Sequence, residues 1–236
     1  MKPVLVVEHL ARDGPGHFGE WLARHGIAAR CVRVHAGDAV PPSTEGLSGL
    51  CVLGGDISVN DDLGHIRDET ALVADALRRG VPVIGHCLGG QMLARVLGAT
   101  VGRSPQPELG WQPIDVDPLP AAREWLGSEA SHVVMQWHYE AFALPERALR
   151  LASSAACPNQ AFLAGGLHLG MQFHVEADAA KIAAWLASDT PELQRLPGLA
   201  TVQQADAIAA DCPRRLPPMR ALAERIYDRW ALGLRR

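Results

Sequence analysis

Apolar residues along the chain follow two spacings, one typical of strands and one typical of helices. Short runs rich in branched residues indicate buried strands, whereas apolar positions three or four residues apart indicate helices. Strands are predicted at residues 4–7, 28–34, 50–53, 81–84, 132–137, 149–153, 160–164 and 167–173, and helices at 17–25, 68–79, 88–97 and 178–187. Strands that alternate with helices predict an α/β fold, with a parallel sheet covered by helices on both faces.

The turn between the strand at 81–84 and the helix at 88–97 carries a cysteine, Cys87. Gly85 and Gly89 permit the crowded backbone that a sharp strand-to-helix turn requires. The N-terminus of the following helix stabilises negative charge on the sulfur and on a developing oxyanion. This position therefore favours a nucleophilic cysteine.

A base and a carboxylate follow later in the chain, at His174 and Glu176. Apolar residues alternate along 167–173, so these two side chains would share one face if the strand continued to that point. A nucleophilic cysteine needs a neighbour that holds its proton, and the imidazole needs a third group that fixes its tautomer. Cys87, His174 and Glu176 are of the types that supply these three roles.

These residues stand in motifs that resemble the class I glutamine amidotransferase family, and within it the glutaminase domain of GMP synthase. The nucleophile motif Gly-x-Cys-x-Gly-x-Gln covers 85–91, and the base motif His-x-Glu covers 174–176. Three further segments, at 53–56, 108–111 and 136–140, match the family in order. The resemblance covers roughly residues 45–188. It implies a mostly parallel twisted sheet with a nucleophile elbow and a small antiparallel excursion, which we expect at 104–125.

The resemblance also implies the site residues. Cys87, His174 and Glu176 would form the catalytic triad, and the backbone N–H groups of Gly55 and Leu88 would bind the oxyanion. The residues expected to contact the substrate are Gly54, Gln91, Trp137, His138 and Glu140. Glu140 is the candidate partner of the substrate α-ammonium group, since a buried ammonium needs a nearby carboxylate.

The chemistry implied is acyl transfer through sulfur. The Cys87 thiolate would attack the γ-carboxamide of glutamine or of another γ-glutamyl compound, and His174 would pass a proton to the leaving amine. Water would then hydrolyse the γ-glutamyl thioester. Neither step needs a metal or an organic cofactor, and the histidines at 9, 17, 65 and 86 lack the spaced partners of a metal site.

Length and composition predict one large domain with a C-terminal addition. With 236 residues, 48% of them apolar, the chain is long enough for a sizeable core. We expect an amidotransferase-like domain at 1–188 and a helical extension at 189–236, which prolines divide into helices at 201–211 and 219–232. Residues 212–236 hold seven arginines and two acids. They predict either a solvated amphipathic helix or a docking face for an acidic partner or a second copy of the chain.

Several other classes of protein are disfavoured by composition. No segment approaches the roughly 20 apolar residues that span a membrane, and the chain enters a strand without a leader, so we expect a cytoplasmic protein. Five cysteines without paired spacing argue against a disulfide framework. A formal net charge of −4 disfavours nucleic acid as a partner. Arginine outnumbers lysine 20 to 2, which indicates a composition bias.

Three functions stay open on these grounds. The chain resembles a glutaminase that works alone or delivers ammonia to a separate synthetase or synthase subunit, because it has no phosphate-binding loop of its own. The second candidate is a γ-glutamyl peptidase that cleaves a glutathione-related amide. The third is a catalytically silent binding or regulatory protein.

Overall fold

A nine-stranded sheet forms the centre of the protein. The computed structural model describes residues 2–196 and 198–235. The strands are β1 Val4–Glu8, β2 Ala29–Arg33, β3 Gly49–Val52, β4 Val83–His86, β5 Val101–Val116, β6 Ser131–Phe142, β7 Ala148–Ser153, β8 Ala161–Ala164 and β9 His168–Met171. The helices are α1 Gly16–Arg24, α2 Gly64–Arg79, α3 Leu88–Val96, α4 Pro120–Leu126, α5 Ala179–Leu193 and α6 Ala205–Ala231, with a 3₁₀ helix at Val34–Ala36.

The sheet is parallel in one half and antiparallel in the other. Its strand order is β2-β1-β3-β4-β9-β8-β7-β5-β6. In this spatial order the first five strands, β2-β1-β3-β4-β9, pair in parallel. The remaining pairs, β9-β8, β8-β7, β7-β5 and β5-β6, are antiparallel. The predicted α/β class is therefore confirmed, with an antiparallel part larger than expected. Part of the expected excursion at 104–125 is helical, since α4 begins at Pro120.

Two apolar cores cover the two faces of the sheet. Val4 and Val6 of β1 pack in one core, and Leu5 and Val7 pack in the other, because successive side chains of a strand point to opposite faces. The first core receives α1, α4, α5 and α6, and the second receives α2 and α3. No helix within residues 2–196 and 198–235 is long and apolar enough to cross a membrane.

The C-terminal region corrects the prediction of two short helices. Residues 205–231 form one helix, α6, with Pro213, Pro217 and Pro218 inside it. Each proline removes one backbone donor, which weakens a helix interior. The helix is continuous across them because it is anchored on both sides, by Ile208 before the prolines and by a series of buried apolar side chains after them. The proposed division at residue 188 lies within α5 and stays a prediction.

Trp230 near the end of α6 provides a test of how firmly this helix is attached. It is 1% exposed and packs against Gly49 of β3, whereas Leu232 is 76% exposed. We expect Trp230→Ala to lower the free energy of unfolding by about 3–5 kcal/mol, the range for a large buried aromatic side chain. The control Leu232→Ala should change it by less than about 0.5 kcal/mol. Urea unfolding measures both, and equal effects would contradict the packing described.

Candidate active site

Cys87 lies at a strained turn between β4 and α3. Cys87 has a φ of +48°, and among the described residues it alone combines a positive φ with a side chain. Its N–H donates to the carbonyl of Met171 at 2.8 Å, which ties the turn to β9. A side chain at Gly89 would place a Cβ 2.1 Å from the carbonyl oxygen of Val52, so only glycine lets α3 pack this closely on β3. A strained cysteine at such a turn is typical of a functional site.

His174 and Glu176 are brought together by a turn and not by a strand. β9 ends at Met171, before the predicted end at residue 173, so both side chains lie in the turn that follows. His174 Nδ1 is nevertheless 2.7 Å from Glu176 Oε1, and the carboxylate is fully buried. The backbone N–H of His174 donates to the carbonyl of Met135 in β6 at 2.9 Å. The imidazole is thus oriented from two sides.

The imidazole and the thiol flank the same glycine. A Cβ placed on Gly54 would lie 2.7 Å from His174 Cε1 and 3.6 Å from Cys87 Cβ. His174 Nε2 is buried without a hydrogen-bond partner among the described residues. Gln172 Nε2 lies 3.6 Å from Cys87 Sγ. A free imidazole nitrogen beside a cysteine is the arrangement that thiol-dependent acyl transfer requires.

The charge state of this pair follows from its surroundings. Burial of His174 opposes protonation, but the negative charge of Glu176, with a smaller contribution from Cys87, raises the pKa of His174 from 6.5 to about 10. Burial alone would raise the pKa of Glu176, yet the charges of His174 and His86 lower it below its ordinary value. The pair is therefore an imidazolium and a carboxylate at neutral pH.

A cavity of about 380 Å³ opens over Cys87 and His174. Its volume falls in the range of small-molecule sites. Its walls come from the β1–α1 loop, the loop after β3, the segment at 137–140 in β6, and α5. The expected site residues that line it are Gly55, Cys87, Gln91, Trp137, His138, Glu140 and His174.

Of the expected oxyanion donors, Gly55 lines this cavity, and Leu88 follows Cys87, which lines it. Leu88 is the first residue of α3, where backbone N–H groups have no acceptor within the helix. Gly55 lines the cavity, and a Cβ on it would come within 2.9 Å of Leu88 Cδ2. In the part of the chain that the structure describes, neither N–H donates to a turn or loop carbonyl. Gly54 is not among the residues that line the cavity, and its carbonyl oxygen accepts from His9 Nδ1 at 2.9 Å.

The segment at 136–140 lies inside β6, which runs to Phe142 and so extends beyond the predicted strand end at residue 137. His138 Nε2 is 3.1 Å from Glu108 Oε2, and His138 Nδ1 is 3.1 Å from the Glu140 carbonyl oxygen. Gln160 also donates to Glu108 at 2.7 Å. These contacts explain why a glutamate at 108 accompanies the segment, and they occupy both ring nitrogens of His138.

Three further side chains shape the wall. Gln91 Nε2 donates to the Glu140 carbonyl at 3.0 Å and lies 3.3 Å from Gln172 Oε1. Trp137 donates from its indole nitrogen to Asp189 Oδ2 at 3.0 Å. The Glu140 carboxylate accepts from Ser58 Oγ at 2.7 Å and lines the cavity. Of these, Glu140 presents a charged group to the cavity.

Sequence reasoning missed several buried polar residues around the site. His9 Nε2 is 2.8 Å from Glu69 Oε2. His86 Nε2 lies 3.8 Å from Glu176 Oε2. Lys181 Nζ lies 3.2 Å from Glu176 Oε1. No spacing in the sequence indicates the first two contacts, whereas Lys181 had one signal, its rarity in a chain with two lysines.

Comparison with known proteins agrees with this geometry. Residues 17–186 match the model of the family described as glutamine amidotransferase class-I. The glutamine amidotransferase-like protein YfeJ of Salmonella typhimurium is 31% identical over 73% of this chain and 75% of its own length. The glutamine-hydrolysing GMP synthase of Aeropyrum pernix is 35% identical over 73% of this chain, which spans only 32% of that synthase. A glutamine amidotransferase structure from Methylobacillus flagellatus superposes with a TM-score of 0.97, at 38% identity over 100% of this chain and 96% of that one.

The His174–Glu176 pair yields a testable titration. Because the Glu176 charge is the largest effect that raises the pKa of His174, Glu176→Gln should move the His174 midpoint well below about 10, since burial is then opposed by the smaller contribution of Cys87 alone. NMR of labelled histidine measures this midpoint. The control Glu69→Gln removes the carboxylate beside His9 and should leave the His174 midpoint unchanged. A wild-type ring that loses its proton below pH 8 would contradict the pairing.

Proposed function

The chain belongs to the class I glutamine amidotransferase family, and we propose that it hydrolyses the γ-amide of glutamine or of a γ-glutamyl compound through a thioester on Cys87. The observation that carries the proposal is the strained Cys87 turn beside the buried His174–Glu176 pair, at the floor of one cavity. The family match supports an amidotransferase-type enzyme.

The proposed reaction has two halves. The Cys87 thiolate attacks the γ-carboxamide carbon, and the oxygen that becomes negative accepts hydrogen bonds from the N–H groups of Gly55 and Leu88. The His174 imidazolium gives its proton to the leaving nitrogen as the C–N bond breaks, which leaves a γ-glutamyl thioester and a neutral ring. The ring then takes a proton from water, the hydroxide attacks the thioester, and glutamate leaves as the thiolate re-forms.

Recognition of the α-ammonium group is assigned to Glu140. Its carboxylate faces the cavity, and Ser58 holds one of its oxygens. Its carbonyl is held by Gln91 and His138, so these two residues position the segment that carries Glu140. Trp137 is assigned to the cavity wall next to the nucleophile, because its carbonyl oxygen is 3.9 Å from Cys87 Sγ. Gly54 is assigned to keeping space for the His174 ring.

The leaving group distinguishes the two enzymatic candidates. The cavity of about 380 Å³ is also lined by Trp185, Asp189 and Arg12, and its volume leaves room for an amine larger than ammonia, which favours a γ-glutamyl peptidase. The named relatives favour ammonia delivery, because those from Thermoplasma acidophilum and Ignicoccus hospitalis are single subunits of a glutamine-hydrolysing GMP synthase. A synthetase subunit, or a second copy of the chain, is therefore proposed as a partner. A cytoplasmic location stays a prediction.

The first experiment tests the nucleophile. Cys87→Ala should abolish release of ammonia from glutamine and of amine from γ-glutamyl dipeptides while the protein stays folded, because no other residue can form the thioester. A diazoketone analogue of glutamine should label Cys87 in the wild type. The control Cys31→Ala should keep both activity and labelling, since burial raises the pKa of the Cys31 thiol to about 11. A wild-type protein that releases neither product would favour the catalytically silent alternative.

The second experiment tests recognition of the α-ammonium group. We expect Glu140→Gln to raise KM for glutamine and to reduce the preference for free over N-acetylated substrate by about ten- to a hundredfold, the range for a coupled charge pair. The control Asp56→Asn removes another carboxylate of the same cavity and should keep the preference. The ratio of kcat/KM values for the two substrates measures it, and an equal ratio in Glu140→Gln and wild type would remove Glu140 from recognition.

A further inference from the structure

Lys181 is a buried cation directly behind the candidate triad. It lies in the first turns of α5 and its side chain is 4% exposed. Its Nζ donates to Glu176 Oε1 at 3.2 Å and to the Gly14 carbonyl at 3.0 Å, and it lies 2.7 Å from Asp13 Oδ1, an ion-pair distance without hydrogen-bond alignment. Three oxygens therefore surround one ammonium group.

The composition of the chain makes this lysine informative. The sequence holds 20 arginines and two lysines, and the other lysine is Lys2. In a chain that uses arginine for almost every basic position, a lysine indicates a position where an arginine side chain would not fit the contacts. A compact ammonium group can direct its three N–H donors to three separate oxygens. A guanidinium group is planar, so its donors all lie in one plane. The oxygens around Lys181 belong to three different residues, which suits the ammonium.

The cluster also has a charge balance. The titratable groups that face it from the packed elements are Glu8, Asp13, Cys51, His86, Cys87, His174, Glu176 and Tyr227. Burial lowers the pKa of His86, and the charge of Glu176 opposes this. Arg33 lies 3.5 Å from Glu8 and offsets its charge. The nearest cationic partners of Asp13 and Glu176 are thus Lys181, at 2.7 and 3.2 Å, and His174, at 2.7 Å from Glu176.

The charge of Lys181 follows from opposing effects. Burial lowers the pKa of Lys181 from 10.5 to about 7, and the charge of Glu8 opposes this. Carboxylate oxygens at 2.7 and 3.2 Å favour the ammonium form further. An unpaired carboxylate in this interior would be costly, so the Lys181 cation stabilises the cluster.

We propose that Lys181 is a positioning residue that shares the Glu176 carboxylate with His174 and clamps the β1–α1 loop to the triad. The loop contributes Leu10, Arg12 and Asp13 to the cavity. Its end is held to the same turn by the N–H of His17, which donates to the Glu176 carbonyl at 2.9 Å. Lys181 donates a hydrogen bond to Glu176 Oε1, the same oxygen that contacts the imidazolium. This weakens the stabilisation of the imidazolium, so that His174 gives its proton to the leaving amine more readily. The catalytic part of this inference rests on the proposed function.

The experiment compares Lys181→Met, Lys181→Arg, Asp13→Asn and the double variant Lys181→Met/Asp13→Asn. The Asp13 and Glu176 oxygens favour the ammonium form of Lys181, so its removal should raise the His174 midpoint by at most about one pH unit, and removal of the Asp13 anion should lower it. Lys181→Met should reduce kcat about tenfold and raise KM, because the loop is released. Lys181→Arg should not restore kcat, since the planar guanidinium group cannot reach the three oxygens.

The double variant separates charge balance from simple packing. It removes one anion and one cation, so its stability in urea and its His174 midpoint should lie nearer to wild type than those of Lys181→Met. If Lys181→Met does not fold, the same comparison is made between wild type, Asp13→Asn and the double variant. The proposal would be overturned by a His174 midpoint that is the same in all folded variants. It would also be overturned if the loss of stability in the double variant equalled the sum of the losses in the two single variants. The NMR titration needs no turnover, so it tests Lys181 even if the proposed hydrolase activity fails.

Discussion

The buried contact between His174 and Glu176 is the interaction on which the rest of this structure depends. A carboxylate with no exposed surface is expensive in a protein interior unless cations and donors surround it. The protein meets this requirement with the His174 ring at 2.7 Å and the Lys181 ammonium at 3.2 Å. The Glu176 charge in turn keeps the His174 imidazole protonated beside Cys87. Stability of the turn and the chemistry of the site therefore share one set of contacts.

The parallel half of the sheet brings the nucleophile to this pair. β4 and β9 are neighbours in the sheet although they are distant in sequence, and Gly85 pairs with Gly170. Parallel strands that end at the same edge place the turns after them side by side, which is where ligands bind in open α/β sheets. The hydrogen bond from the Cys87 N–H to the carbonyl of Met171 then fixes the position of Cys87 relative to the turn that carries His174.

The antiparallel half and the C-terminal helix complete the surroundings of the site. Glu108 of β5 holds His138 of β6, and His138 in turn holds the carbonyl of Glu140. From the opposite side, Tyr227 of α6 places its hydroxyl 3.4 Å from His86 Nε2, next to Glu176. The helix beyond the family match thus forms part of the packing behind the candidate triad, and its buried face explains why it stays helical through three prolines.

The sequence by itself determined the α/β class, the turn at Cys87 and the pairing of His174 with Glu176, because these depend on local signals: apolar spacing, glycines around one cysteine, and two polar residues two positions apart. It could not determine the length of β9, the continuity of α6, or the partners of His9, His86 and Lys181. Those features depend on contacts between residues far apart in the chain, where burial overrides local propensity and no spacing marks the partner. The charge state of His174 is likewise a property of the assembled interior, since it follows from a carboxylate that only the folded chain buries and balances.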